Sequence, residues 1–326
     1  MFGNANPGRD EAIVRTLVTG ATGFIGRELC RQLVARGDDL VATSQNGGVL
    51  PGGHYASPLD LQGSVPEAAA LQGVDVVYHL AGVAHQYAEA VRYDAVNYHA
   101  TMAMARAAHQ AGVGYFVYLS SVKAMGLQAD GKPRAEGDTV EPGDAYGASK
   151  WRAECDLRAE FSGGAMTVII LRPAVVYGAA LKGNLKLLLQ AARLGLPAPP
   201  AGGARSMVGV TDLAALLCTL PSGGFSGLHT WIVTDGQAYS TREMYAILRM
   251  ALQRPVRNWQ APLWLWRTFA ALLDRWQRQP SGTSFGKLFD TEVYSNSALL
   301  AATNWRPRQS LATMASELVS GERLDR

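Results

Sequence analysis

Cysteine is scarce in this 326-residue chain: Cys30, Cys155 and Cys218 stand far apart and are odd in number. That excludes a disulfide-stapled fold or a zinc site of paired cysteines, and leaves each thiol as a small core residue in a reducing compartment. Charge is sparse as well, at 17% against 48% hydrophobic residues, which excludes bulk disorder. The formal net charge is +3 and no block of five or more basic residues occurs, so no nucleic-acid partner is expected. Long hydrophobic runs are missing too, since nothing reaches the ~18 apolar residues of a membrane span. The longest candidate, Val168 to Leu181, is interrupted by Arg172 and Pro173. The opening residues hold no apolar segment before Asp10 and Glu11, so no secretory leader is expected and the chain reads as cytoplasmic.

What is present is an alternation of short β-branched runs with longer helical patterns. Strands are expected at Thr16–Thr19, Leu40–Thr43, Val74–Leu80, Tyr115–Ser120 and Thr167–Leu171. Helices are expected at Ile25–Arg36, closed by Gly37, and at Asn97–Gln110 and Ala145–Phe161. Such βαβ units imply an α/β fold, a doubly wound parallel sheet with helices on both faces. The pattern changes after Gly178. One helix and a proline-rich loop fill the stretch to Arg205, and beyond Asp235 the chain is helical and tryptophan-rich. The organisation expected is therefore a flexible tail at 1–11, a nucleotide-binding core at 12–180 to which 206–234 return, and a smaller, mainly helical substrate lobe made of 181–205 and 235–326. There are no internal repeats.

Between the first strand and first helix lies TGATGFIG, Thr19 to Gly26. Gly20 suits the tight turn, Gly23 lets backbone N–H groups approach a pyrophosphate, and Gly26 permits close helix–strand packing. The helix N-terminus adds partial positive charge for the phosphates. The second strand ends in Ser44-Gln45 rather than in a carboxylate that would repel a 2′-phosphate. Ser44 and Gln45 can hydrogen-bond either form of ribose or stand as plain loop residues, and Arg27 is near enough in sequence to approach a 2′-phosphate. The cofactor expected is NADP or NAD, with NADP slightly favoured.

Tyr146 and Lys150 stand four residues apart on the helix expected at Ala145–Phe161, so phenol and ammonium share a face. A free tyrosine titrates near ~10. A neighbouring cation favours the phenolate and makes it a usable acid/base for a hydroxyl or carbonyl. Ser120 and Ser121 end the strand before it, where sheets of this kind bind ligands, and offer a hydroxyl to the same substrate oxygen.

Together these motifs resemble the extended short-chain dehydrogenase/reductase family, in its nucleotide-sugar epimerase/dehydratase group, over most of the chain. The resemblance implies a Rossmann core with the cofactor held by Gly20, Thr22, Gly23, Phe24, Ile25 and Gly26, by Ser44 and Gln45, by Asp60 and Leu61 on the adenine side, by Leu80, Ala81 and Gly82 in the fourth-strand motif, and by Pro173 in the L-R-P-x-x-V-Y-G segment that ends at Gly178. Tyr146 and Lys150 would also touch it. Asn97 matches a structural asparagine. The catalytic set implied is Ser121 as hydroxyl, Tyr146 as acid/base and Lys150 as its partner.

A narrower resemblance rests on SSVKAMG (Ser120–Gly126), LKGN (Leu181–Asn184), RSMVGVTDLA (Arg205–Ala214) and KLF…SNSALLAATNWRP (Lys287–Pro307). It is similar to a branch of UDP-sugar 4-epimerases and UDP-4-keto-6-deoxy-N-acetylhexosamine 4-reductases that serve surface polysaccharides. That implies a UDP-sugar substrate met by His85, Ser121, Asn184 and Arg205, the last pairing with a phosphate as a guanidinium suits. His85 also reads as an ordinary loop histidine. The 4-keto-6-deoxy reduction is the leading expectation, with 4-epimerisation on tightly bound NAD as its alternative. No metal is expected. Ser121 is followed by Val122-Lys123 where 4,6-dehydratases of the family carry Asp-Glu, which disfavours dehydration; Lys123 reads as solvent-facing or touching substrate. The apolar stretch Pro262–Trp276 is expected to pack into its lobe or cover the substrate site rather than to contact a membrane. A homodimer through the helices at Asn97–Gln110 and Ala145–Phe161 is implied by the resemblance. Two other readings share the fold. A non-catalytic dinucleotide-binding scaffold is opposed by the intact Ser121, Tyr146 and Lys150. A steroid-type hydroxyl dehydrogenase has no use for Arg205 as a phosphate clamp.

Overall fold

The computed structural model describes residues 13–63, 66–83, 89–127, 131–179, 183–256, 262–276 and 282–324, without the side chains of 183, 184, 287 and 321–324. The tail expected at 1–11 lies outside these residues. The chain opens with β1 (Arg15–Thr19), α1 (Phe24–Arg36), β2 (Asp39–Ser44), β3 (Gly48–Val49), β4 (Tyr55–Pro58) and β5 (Val76–His79). A helical stretch follows, α2 (Ala90–Tyr93), a π-helical turn (Asp94–His99) and α3 (Ala100–Gln110). Then come β6 (Tyr115–Leu119), α4 (Ala145–Phe161), β7 (Thr167–Pro173), β8 (Val175–Tyr177), α5 (Gly183–Leu194), β9 (Arg205–Gly209), α6 (Val210–Thr219), β10 (Leu228–Val233) and β11 (Ala238–Tyr239). The remaining helices are α7 (Thr241–Ala251), α8 (Leu263–Trp276), α9 (Thr283–Phe289), α10 (Ser297–Ala302) and α11 (Leu311–Leu324).

The main sheet runs β10-β7-β6-β5-β1-β2-β4-β3, and every pairing is parallel except β3 with β4. Its direction of winding reverses between β1 and β5, which puts a crevice at their carboxyl ends. Both faces are covered. Val18, Val76, Val117 and Ile169 pack under α1 and α6 with Leu29, Leu33, Leu213 and Leu217. Their neighbours Leu17, Val77, Phe116 and Val168 point the other way, to Met104, Leu157 and Phe161 of α3 and α4. Burial on both faces is why these strands read as unbroken apolar runs. Gly37 closes α1 in the left-handed region at φ 93°, its N–H reaching Leu33 and Val34 O. Asp144 caps α4 by accepting from Gly147 N at 2.9 Å.

The smaller lobe has its own core, in which Leu189 of α5, Leu248 of α7 and Leu311 and Leu318 of α11 meet Tyr177 and Met207. A separate three-stranded sheet, β11-β9-β8, was not expected: β8 and all of β9 but Arg205 come from the stretches 12–180 and 206–234 assigned to the core, yet they pair with each other and with β11 rather than with the main sheet. The helix expected from Asn97 begins earlier, at Ala90, and passes Asn97 inside the π turn. All three cysteines are free, and burial raises the Cys30 thiol to about 12, which leaves it inert. The expectation that Pro262–Trp276 packs into its lobe holds for one face only: Ala270 and Asp274 of α8 are buried, whereas Trp264, Phe269, Leu272 and Trp276 are exposed.

His79, at the end of β5, is fully buried between the hydroxyls of Thr19 (2.9 Å) and Thr101 (3.1 Å) and stacks near Phe116 and Tyr118. Burial, aided by the Lys150 ammonium, lowers its pKa to about 3. An unfolded histidine titrates near ~6.5. Between those values the unfolded chain binds a proton that the folded one refuses, so stability falls as pH drops through the window. His79→Gln should therefore lose less thermal stability than wild type between pH ~6.5 and ~4. Parallel Tm-versus-pH slopes for the two proteins would show that this ring is not the proton-linked group.

Candidate active site

The glycine turn is built by contact as well as by conformation. Gly20 has φ +70°, and a Cβ there would lie 2.8 Å from Ala81 N. A Cβ on Gly26 would lie 2.3 Å from Gly20 O, so α1 sits directly on the turn. A pocket opens beside it at the carboxyl ends of β1, β2 and β5, lined by Gly20, Ser44, Gln45, Asp60, Leu61, Ala81 and Gly82 among the expected residues. Thr43, Val83, Arg92 and Val96 line it too and were not foreseen. The side-chain hydroxyls of Thr43 and Ser44 and the Nε of Arg92 are buried with no hydrogen-bond partner among the described residues. Asp60 accepts from Gln62 N at 3.1 Å. A concave site with spare hydroxyls and a spare guanidinium N–H, beside the glycine turn that leads into α1, fits part of a dinucleotide.

The other expected cofactor residues are distributed around this pocket. Thr22 and Phe24 line a second cavity, between α1, the start of α6 (Val210, Thr211) and α11 (Met314, Glu317), beside which Arg27 donates to Thr22 O (3.0 Å) and Val49 O (3.1 Å). Arg27 is thus engaged with backbone and does not line the Ser44 pocket, against the expectation that it approaches a 2′-phosphate there. Gly23 precedes α1 and Ile25 lies in its first turn. Leu80 follows β5 and Pro173 ends β7, both at the carboxyl edge of the sheet.

Ser121 opens a short turn after β6, and its hydroxyl accepts from Lys123 N at 3.1 Å. The same side chain stands beside the Tyr146 hydroxyl. Burial raises the Tyr146 pKa to about 12, with Ser121 opposing the rise, so the resting group is a phenol. One turn along α4, Lys150 Nζ donates to Leu119 O at 2.9 Å and lies 4.7 Å from the Tyr118 ring centroid. Burial lowers its pKa to about 8, partly offset by Glu154. Asn97 fixes this arrangement from the side. Its amide nitrogen donates to Ser149 Oγ and Val83 O, both at 3.1 Å, and its oxygen accepts from Val83 N at 2.8 Å. The π turn that carries it thereby joins α4 to the loop after β5, as such bulges often do at functional sites.

Behind the pair stands a buried cluster that sequence reading missed. Glu154, one turn beyond Lys150, accepts from Ser120 Oγ (2.5 Å), Arg172 Nη2 (2.6 Å) and Arg158 Nη2 (3.0 Å). Arg172 is buried in turn and donates to Glu136 O at 2.9 Å. The i, i+4 spacing of Lys150 and Glu154 was the available signal, but the partners arrive from β6 and β7.

On the substrate side, Arg205 opens β9 and pairs with Glu292 at 3.3 Å, and it donates to Gly286 O of α9 at 2.8 Å. Its Nε is buried without a partner among the described residues. Lys123 is not simply solvent-facing: Nζ meets both Glu292 oxygens at 2.9 and 3.0 Å. Burial would raise the Glu292 pKa, but Lys123 and Arg205 outweigh it and hold the carboxyl below its usual range. Glu292, unforeseen, therefore bridges the catalytic turn to the expected phosphate clamp. Asn184 is the second residue of α5, with its side chain outside the description, and His85 lies outside the described residues. Among the described residues no group of His, Cys, Asp and Glu could hold a metal ion.

A family model described as the NAD dependent epimerase/dehydratase family matches residues 16–220. The chain is 30% identical over 305 residues to a UDP-glucose 4-epimerase of Vibrio cholerae, covering 90% of this chain and 91% of that protein. Among solved structures it resembles a UDP-N-acetylglucosamine 4-epimerase from Methanobrevibacter ruminantium (TM-score 0.78, 16% identity, 96% of this chain and 99% of that one). It also resembles a Thermus thermophilus UDP-glucose 4-epimerase in complex with NAD (TM-score 0.73, 23% identity, 95% and 99%). At those identities the two structures speak to the fold alone.

Proposed function

Because the chain belongs to the NAD-dependent epimerase/dehydratase family, we propose that it carries out nicotinamide-linked oxidation and reduction at C4 of a UDP-sugar, with 4-epimerisation as the net reaction. The observation that carries this reading is Ser121 beside the Tyr146 hydroxyl with Lys150 one turn away on α4, at the carboxyl edge of the sheet. The Vibrio relative, matched over nearly its whole length, supports epimerisation over net reduction. When bound, the nicotinamide group supplies hydride exchange with the sugar carbon. Tyr146 takes the proton from the C4 hydroxyl and returns it to the same oxygen, while Ser121 donates a hydrogen bond to that oxygen. Lys150 favours the phenolate by its charge. The turn from Gly20 to Gly26 holds the dinucleotide phosphates, with Asp60, Leu61, Ser44 and Gln45 around the adenosine and Leu80 and Pro173 further along. Arg205, with Asn184 at the start of α5, meets the UDP-sugar from the lobe formed by 181–205 and 235–326, and His85 belongs to the same substrate set by its place in the sequence. A homodimer and a cytoplasmic setting belong to the same proposal.

Reduction of a UDP-4-keto-6-deoxy-N-acetylhexosamine with NADPH, for surface polysaccharide synthesis, is the second reading. It is favoured by the end of β2, where Thr43, Ser44 and Gln45 place hydroxyls and an amide and no carboxylate. Nucleotide retained after exhaustive desalting, followed by NMR of UDP-sugars incubated with the protein, distinguishes the two. Retained NAD and a C4 epimer formed without net cofactor change is the expected result. An empty protein that oxidises NADPH only with the 4-keto sugar supports the second reading. Turnover of neither substrate class overturns both.

A further inference from the structure

Helix α8 is held to the lobe by one face and open on the other. On the inner face, Trp266 meets Phe289 of α9 edge to face at 6.1 Å, and Asp274 accepts from Ser284 N and Gly282 N, both at 2.8 Å. On the outer side, exposure reaches 66% at Trp264, 56% at Phe269, 62% at Leu272 and 81% at Trp276, with Leu263 and Leu265 also above two-fifths. Single exposed leucines are ordinary on a soluble protein. Six large apolar side chains on one 14-residue helix mark an interaction face.

Charge decides what that face fits. From Arg254 to Gln279 the sequence has five arginines (254, 257, 267, 275 and 278) and one acid, Asp274, against 30 basic and 27 acidic residues in the whole chain. That single acid is turned inward and is 1% exposed. The exposed charges of α8, Arg275 and Arg267 with its guanidinium over the Phe285 ring of α9 (5.3 Å), are therefore both positive. A second copy seated on the same face about a two-fold would bring these cations together with no carboxylate of α8 to answer them, which disfavours self-pairing. An anionic lipid surface answers both features, taking the apolar side chains below its headgroups and the arginines among them. The tryptophans sit at opposite ends of a helix ~21 Å long, as anchors of a helix lying flat would.

We propose that α8 docks this protein on the surface of a membrane containing anionic lipid, through Trp264, Leu265, Phe269, Leu272 and Trp276 with Arg267 and Arg275. The inference does not depend on the proposed catalytic activity. It reverses the expectation that this stretch avoids membranes, because that expectation required the apolar side chains to be covered.

Sedimentation of the full chain with vesicles tests it. Wild type should pellet with phosphatidylcholine vesicles containing about a third phosphatidylglycerol, stay in solution with phosphatidylcholine alone, and be released by salt. Its tryptophan emission should shift to the blue and be quenched by brominated lipid only in the first case. Arg267→Glu with Arg275→Glu, and separately Leu272→Glu with Trp276→Glu, should each weaken binding by roughly thirtyfold. Tm should be unchanged for the second pair, whose side chains face solvent, and fall slightly for the first, which loses the Arg267 contact on Phe285. Wild type remaining in solution with the anionic vesicles overturns the proposal, as does equal binding to both lipids. Variants that fold and bind like wild type also overturn it. So does a fall in oligomeric state on Leu272→Glu with Trp276→Glu without vesicle binding by wild type, which would assign the face to a second copy.

Discussion

Tyr146→Phe should lower turnover on the UDP-sugar by ~10²–10⁴-fold, leaving the fold and the retained nucleotide unchanged. Only one oxygen is removed. The ring keeps its edge contact with Tyr93, 6.0 Å between centroids, and Ser121 keeps its bond from Lys123 N. KM should therefore move little while kcat collapses, the signature of a group that acts on the transferring proton. A variant with near-wild-type kcat would take Tyr146 out of the chemistry. The pH profile of wild type carries related information. Burial holds Lys150 at about 8, so the ammonium beside the phenol is lost as pH rises through that value, and turnover should fall with it. That alkaline limb should be absent from the residual activity of Tyr146→Phe, where no phenol is left for the ammonium to act on.

How much of this was legible in sequence depends on how local the cause of each feature is. The turn from Thr19 to Gly26 and the helix bounds Ala145–Phe161 could be read because their determinants lie within a few residues: three glycines in one case, the Asp144 cap and a long helical pattern in the other. The strands β3, β8 and β11 are two or three residues long, and β8 and β11 gain stability only by pairing with β9, which no local pattern announces. Glu292 lies 169 residues from Lys123 in the chain, so their ion pair had no sequence signal at all. The apolar stretch around α8 was visible, but whether its side chains were covered was a tertiary fact. Composition favoured burial, and the packing of α9 against one face leaves the other in solvent.

Glu154→Gln should destabilise the protein by about 3–5 kcal/mol, the usual cost of leaving one member of a buried ion pair behind. The fully buried Arg172 guanidinium reaches Glu154 through Nε and Nη2, so the neutral amide removes the charge that keeps it there and turns one acceptor into a donor. Urea unfolding measures the loss. Glu154→Leu with Arg172→Met should recover part of it, because replacing both ends of a buried pair by apolar groups of similar volume is far cheaper than breaking it. A merely structural role would end there. Glu154 also raises the pKa of Lys150, one turn before it on α4, against the lowering effect of burial. Its neutralisation should therefore move the alkaline limb of turnover to a pH below about 8. A stability loss without that movement would confine Glu154 to holding α4 against β6 and β7. Both effects together would make it the residue through which the sheet sets the charge state of Lys150.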